Sequence, residues 1–158
     1  MTAIARDDAG NLYGGGYAYA TGPYPAFVVA KIDANGNLVS TFGDGGMKVL
    51  TSSGSPTDFM LSSAIALDSA GDVFLAGTVA DDFRVLELDA IGAYVTSFGA
   101  GGVAQFCFSC GHDRVHAMAL DGDSHLYVAG YAFPSDEVFA VAKLQVVPPD
   151  PIFADGFD

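Results

Sequence analysis

Apolar residues run along this chain in short bursts, each cut off by an aspartate and a glycine. Ala64-Ile65-Ala66-Leu67 stops at Asp68-Ser69-Ala70-Gly71-Asp72, and Val73-Phe74-Leu75-Ala76-Gly77 follows. An aspartate entering such a turn accepts from its own backbone two residues on, and Gly71 tolerates positive φ. The segment therefore predicts a β-hairpin. The pattern recurs at Asp7 to Asn11 with Gly10, and at Asp121 to His125 with Gly122 displaced earlier. A second hairpin is predicted from 27–32 to 38–42 through Asp33-Ala34-Asn35-Gly36. Its copy runs from 83–88 to 94–98 through Asp89-Ala90-Ile91-Gly92. Two hairpins make four strands per unit. No helical period is sustained anywhere, so almost no helix is expected.

These hairpins are one unit written three times. TAIARDDAGNLYGGG, SAIALDSAGDVFLAG and HAMALDGDSHLYVAG align with starts at Ala3, Ala64 and Ala117. FVVAKIDANGNLVSTFGDGG from Phe27 matches FRVLELDAIGAYVTSFGAGG from Phe83, with a truncated FAVAKLQ from Phe139. Repeats of this kind fold as stacked copies of one supersecondary unit. The units span about 3–51, 62–106 and 115–145 of a repeat domain over 1–147, and a proline-rich tail occupies 148–158.

Stacking also explains strands that are apolar on both faces. In Val73-Phe74-Leu75-Ala76 and Leu126-Tyr127-Val128-Ala129, neither alternate set is polar. Such strands belong to a sheet covered on both sides. The expected fold is all-β, a β-propeller-like arc of four-stranded antiparallel blades, about 2.75 of them in this chain. An open β-solenoid competes, but its repeats are usually shorter.

The spacing from Phe27 to Phe42 equals that from Phe83 to Phe98, whereas links after the second and fourth strands vary. In a meander those links leave from the same side. One face is thus uniform scaffold, and the other tolerates insertions, where repeat proteins commonly bind.

Composition sharpens this picture. With 51% hydrophobic residues in 158, the chain can bury a real core and is not disordered. A formal net charge of -13 repels phosphate backbones and anionic lipid, so nucleic acid and membrane surfaces are poor partners. The same acidity keeps an apolar-rich β protein soluble. No apolar run approaches the roughly 20 residues of a membrane span, and no signal peptide is recognisable.

At these residues the chain resembles the delta-60 repeat of bacterial proteins: A-x-A-x-D-x-x-G-x-[IVL]-x-x-x-G, then F-x-[VL]-x-[KRE]-[LI]-[DN]-x-x-G, then [ST]-[ST]-F-G-x-G-G. Ala64 to Gly77, Phe83 to Gly92 and Thr96 to Gly102 fit, as do Ala3 to Gly16 and Ser40 to Gly46. The chain is also similar to the wider NHL-type propeller repeat. The third copy departs, because Gly122 is displaced and no SFGxGG follows Leu144. The resemblance implies a propeller on exported or cell-surface bacterial proteins, and it implies no catalytic residues. The tail's IFADGFD resembles a short C-terminal signature on exported proteins of some Gram-negative bacteria; a plain chain end, or a strand added to an open sheet edge, is the alternative.

Propellers have about four to eight blades, and an open arc leaves two apolar sheet faces wet. Missing upstream blades or homo-oligomeric closure is therefore expected.

Candidate chemistry is sparse. Cys107, Cys110, His112 and His116 could in principle complete a tetrahedral zinc site, although the segment lacks a well-spaced second half. A disulfide between Cys107 and Cys110 suits an exported protein better. The turn residues Asp7, Asp8, Asp33, Asp68, Asp72, Asp89, Asp121 and Asp123 invite a calcium reading, but no turn alone carries a calcium loop, so turn chemistry accounts for them. Tyr17, Tyr19 and Tyr24, with Tyr131 and Phe133 in the matching loop, could stack on a sugar or anchor a protein, or else pack between blades. Lys31, Glu87 and Lys143 share one strand position with alternating sign, open to pairing between blades or to solvation. Neither a G-x-S-x-G, a phosphate-cradling loop nor an H-E-x-x-H occurs.

The expectation is a non-catalytic binding module in the extracellular space or cell envelope, with no cofactor and a protein or glycan partner. A propeller hydrolase or lyase with a metal-assisted site, or a purely structural repeat segment, is the alternative.

Overall fold

The structure, a computed structural model, describes residues 2–19, 25–50, 60–109, 111–122 and 124–146. Every regular element in them is a β-strand: β1 (Ala3–Arg6), β2 (Leu12–Ala18), β3 (Ala26–Ile32), β4 (Met47–Leu50), β5 (Met60–Leu67), β6 (Val73–Val79), β7 (Asp82–Leu88), β8 (Val103–Phe106), β9 (Arg114–Asp121), β10 (His125–Ala132) and β11 (Val138–Gln145). They form three antiparallel sheets in sequence order, β1-β2-β3-β4, β5-β6-β7-β8 and β9-β10-β11. None of the described residues forms a helix long and apolar enough to cross a membrane.

The sheet β5–β8 sits between the other two. β5 contacts β1, β2 and β3 on one side, while β9 contacts β5, β6 and β7 on the other. Two apolar clusters fill the gaps. Tyr13, Phe27, Val29 and Phe42 pack with Val73, Leu75, Leu86 and Leu88 in one. Phe74, Phe83, Val85 and Phe98 pack with Val115, Leu126 and Val128 in the other. Alternate residues of β6 thus feed opposite clusters, and all seven residues of β6 are buried. Each fully buried Val, Leu or Phe contributes roughly 1.5–3 kcal/mol relative to exposure. β10 has a similar apolar composition yet alternates between buried and half-buried positions, since among the described residues its sheet is covered on one face only. Phe139 on the neighbouring β11 is 81% exposed.

The turns follow the expected chemistry. The Asp68 carboxylate accepts the amides of Ala70 at 3.0 Å and Asp72 at 2.8 Å. Asp33 does the same for Asn35 and Asn37, and Asp89 for Ile91 and Ala93. Gly71 closes its turn at φ +86°, which only glycine adopts without strain.

One expectation is corrected. Residues 38–42 and 94–98 are not strands: Leu38 and Tyr94 each make a single bridge, to Ile32 and Leu88. The chain then curls through glycines at positive φ, and the fourth strands β4 and β8 come after the curl. Phe42 and Phe98, taken from the strands by this curl, plug the core edge-on to Tyr13 and Phe74, with centroids 5.8 and 5.9 Å apart. The two units share one construction down to these aromatic pairs.

Candidate functional site

The variable ends of the second and third sheets meet at a clasp. Ala80 and Asp81, at φ 50° and 66°, form the tight turn joining β6 to β7. The Asp81 carboxylate takes Arg114 Nη1 at 2.6 Å and faces His112 Nδ1 at 3.2 Å. Its carbonyl accepts the Asp113 amide at 2.9 Å. Asp113 is fully buried and accepts the amides of Phe108 (2.6 Å) and Ser109 (3.3 Å) and the Ser109 hydroxyl. Burial alone would raise the Asp113 carboxyl, but the Ser109 hydroxyl and the amides of Phe108, Ser109 and Phe133 hold it below the usual carboxylate range. Deeper in, the Val115 amide donates to Thr78 Oγ1 at 3.1 Å.

This clasp absorbs most of the cysteine–histidine segment. Cys107 is disulfide-bonded, and a disulfide sulfur offers no thiolate to a metal. Cys110 lies outside the described residues. His112 is committed to Asp81, while His116 is the extra residue where the β9–β10 register slips, its ring 5.5 Å from that of Tyr131. The structure does not gather Cys107, His112 and His116 at one point.

The aromatic candidates also lie at this end. Tyr19 is 64% exposed and Tyr17 42%, at the end of β2. Tyr24 lies outside the described residues. Phe133, following β10, is exposed, and its amide donates to Ser109 Oγ at 3.3 Å. Tyr131 lines a groove of about 370 Å³ with His116, Ala117, Glu137, Val138 and Phe139.

The opposite end holds a second cluster. Asp68 and Asp72 of the β5–β6 turn and Glu87 of β7 bring carboxylate oxygens to within 4.8 Å of one another. Register explains it: Glu87 stands opposite Phe74, two residues past Asp72. Glu87 is 3% exposed. Burial, then the charges of Asp72 and Asp68, push its carboxyl up to about 7. Asp72 is raised too, by burial and then by Asp68 and Asp89.

The equivalent place in the first unit is balanced. Asp7 takes the Asn11 amide at 2.7 Å and Asn11 Nδ2 at 2.8 Å. Lys31 sits opposite Tyr13, with its ammonium 4.8 Å from the ring centre. Burial would raise the Asp7 carboxyl, but the Asn11 bonds and the Lys31 charge lower it. Lys143 covers Tyr127 likewise at 5.5 Å. Lys31 and Lys143 thus face aromatics of their own sheets, and Glu87 is almost wholly buried and, among the described residues, pairs with no lysine of the next unit. Sequence reasoning singled out Asp68, Asp72 and Glu87 separately without joining them. Aligning Asn11, Asp72 and His125 alongside Lys31, Glu87 and Lys143 supplies the missing signal.

No protein-family model matches this chain, and no curated protein matches it.

Proposed function

We propose that the chain is part of a β-propeller of delta-60 type on an exported or cell-surface bacterial protein. It acts there as a non-catalytic module that binds a glycan or protein through its variable-loop end. The observation that carries this reading is the collection of aromatics at that end: exposed Tyr17 at the end of β2, Tyr19 after it and Phe133 after β10, with half-buried Tyr131 near the end of β10 lining the groove. Aromatic faces bordered by a carboxylate such as Glu137 suit sugar rings, which stack through C–H faces and hydrogen-bond through hydroxyls. The disulfide at Cys107 supports an oxidising compartment. The apolar outer surface around Phe139 and Val141 supports completion of the arc by further blades or by other copies of the chain.

A glycan array probed with the full chain tests this reading. Binding to a defined set of sugars that is lost in Tyr131→Ala supports it. Binding unchanged in both Tyr131→Ala and Tyr17→Ala contradicts the assigned surface, and silence across all sugars removes the glycan and leaves a protein partner.

A further inference from the structure

Three sister turns in one chain provide their own control. In the first unit the turn holds Asp7, a neutral donor in Asn11, and an ammonium from Lys31. The corresponding third-unit residues are Asp121, His125 and Lys143. In the second unit the donor has become Asp72, the lysine has become Glu87, and the tyrosine below has become Phe74. Asp72 has no side-chain amide to donate to Asp68 as Asn11 donates to Asp7, and the lysine cation is gone. Three carboxylates remain where one was neutralised before.

Glu87 adds a separate observation. The residue is 3% exposed, and no hydrogen-bond donor among the described residues reaches its carboxylate. The charges acting on it are those of Asp72 and Asp68. None of its oxygens is both sealed and unpartnered, so the carboxylate keeps a narrow opening to solvent. A buried carboxylate aimed at two others is costly unless a cation joins them. Asp68 turns one oxygen to the amides of Ala70 and Asp72, which fixes its plane and leaves the other oxygen for a ligand.

We propose that Asp68, Asp72 and Glu87 bind a divalent cation, calcium by preference, in the place the lysine ammonium takes in the sister units. All donors are carboxylate oxygens, which select hard cations over zinc or copper. Their mutual spacing of up to 4.8 Å spans a calcium sphere, whose opposed oxygens lie about 4.6–5.2 Å apart. Magnesium demands near-ideal octahedral geometry and gives up its waters reluctantly, so three carboxylates from a turn and a strand suit calcium better. Waters complete the calcium shell through the opening. The ion ties the β5–β6 turn to β7 at the scaffold end, away from the aromatic groove, so this site stands or falls independently of the proposed partner surface.

The test is calorimetric titration of calcium chloride into the chelator-stripped full chain at about pH 8. One site per chain is expected, with a dissociation constant on the order of 10⁻⁴–10⁻³ M, as in extracellular calcium modules. Two variants restore sister-unit chemistry, Glu87→Lys and Asp72→Asn, and each should weaken calcium at least about tenfold while strand content by circular dichroism stays unchanged. Asp136→Lys makes the same change of charge as Glu87→Lys at an exposed place on the far end and should bind calcium as before. No saturable calcium binding overturns the proposal, as does equal weakening in Glu87→Lys and Asp136→Lys, which would reveal a diffuse response to surface charge.

Discussion

The Gly43 amide donates to the Ile91 carbonyl at 2.8 Å, so the curl that closes the first sheet is held by a turn of the second. The contact is close because Gly92, next to Ile91, has no side chain. A Cβ there would lie 3.0 Å from the Gly43 nitrogen and 3.3 Å from the Phe42 ring. Stacking of the first two units at the scaffold end therefore depends on backbone meeting backbone.

Gly92→Ala tests that dependence. Gly92 also sits at φ +83°, so the methyl adds conformational strain to crowding. The expected loss is about 1–3 kcal/mol in urea denaturation. Gly36→Ala is the comparison, because its φ is +88° with nothing within 4 Å. It should cost less, and an equal cost would mean that the contact between units adds nothing.

At the other end, the second and third sheets share the buried bond from the Val115 amide to Thr78 Oγ1. Thr78→Val keeps the shape, removes the acceptor and strands the amide, at a cost of about 1–3 kcal/mol. Thr78→Ser retains the hydroxyl and should recover most of the bond's contribution. Denaturant midpoints of the two variants check this ordering.

Asp113 gives the clasp a pH dependence of definite sign. Its folded carboxyl is held below the usual value, so its contribution is complete above the unfolded carboxylate range. The contribution is lost as pH falls through the lower folded value. Asp113→Asn should be less stable than the native chain at neutral pH, and that gap should narrow on acidification. Thermal melts across the acid range measure it, and a gap that widens toward low pH would contradict the assignment.

The sequence announced the repeat, the Asp–Gly turns and the buried β6 because each rests on residues close together in the chain. The fourth strands were misplaced for a physical reason. Val39 and Phe42 look like strand residues, yet Phe42 is apolar in order to plug the core beside Tyr13, while the glycines after it bend the chain away. The real strands, MKVL and VAQF, alternate too weakly to stand out. The clasp was legible only as a suspicious run of Cys and His, because its organising residues Asp81 and Thr78 come from another unit. The carboxylate cluster needed strand register as well as turn position before Glu87 joined Asp68 and Asp72.

Everything else depends on the sheet β5–β8 being enclosed by its two neighbours, and native-state hydrogen exchange of the full chain measures that enclosure directly. Amides of β6 should exchange most slowly, those of β2 and β10 faster, and those of β11 fastest, since protection follows coverage of both faces. Exchange in β6 as fast as in β11 would contradict the stacked arrangement.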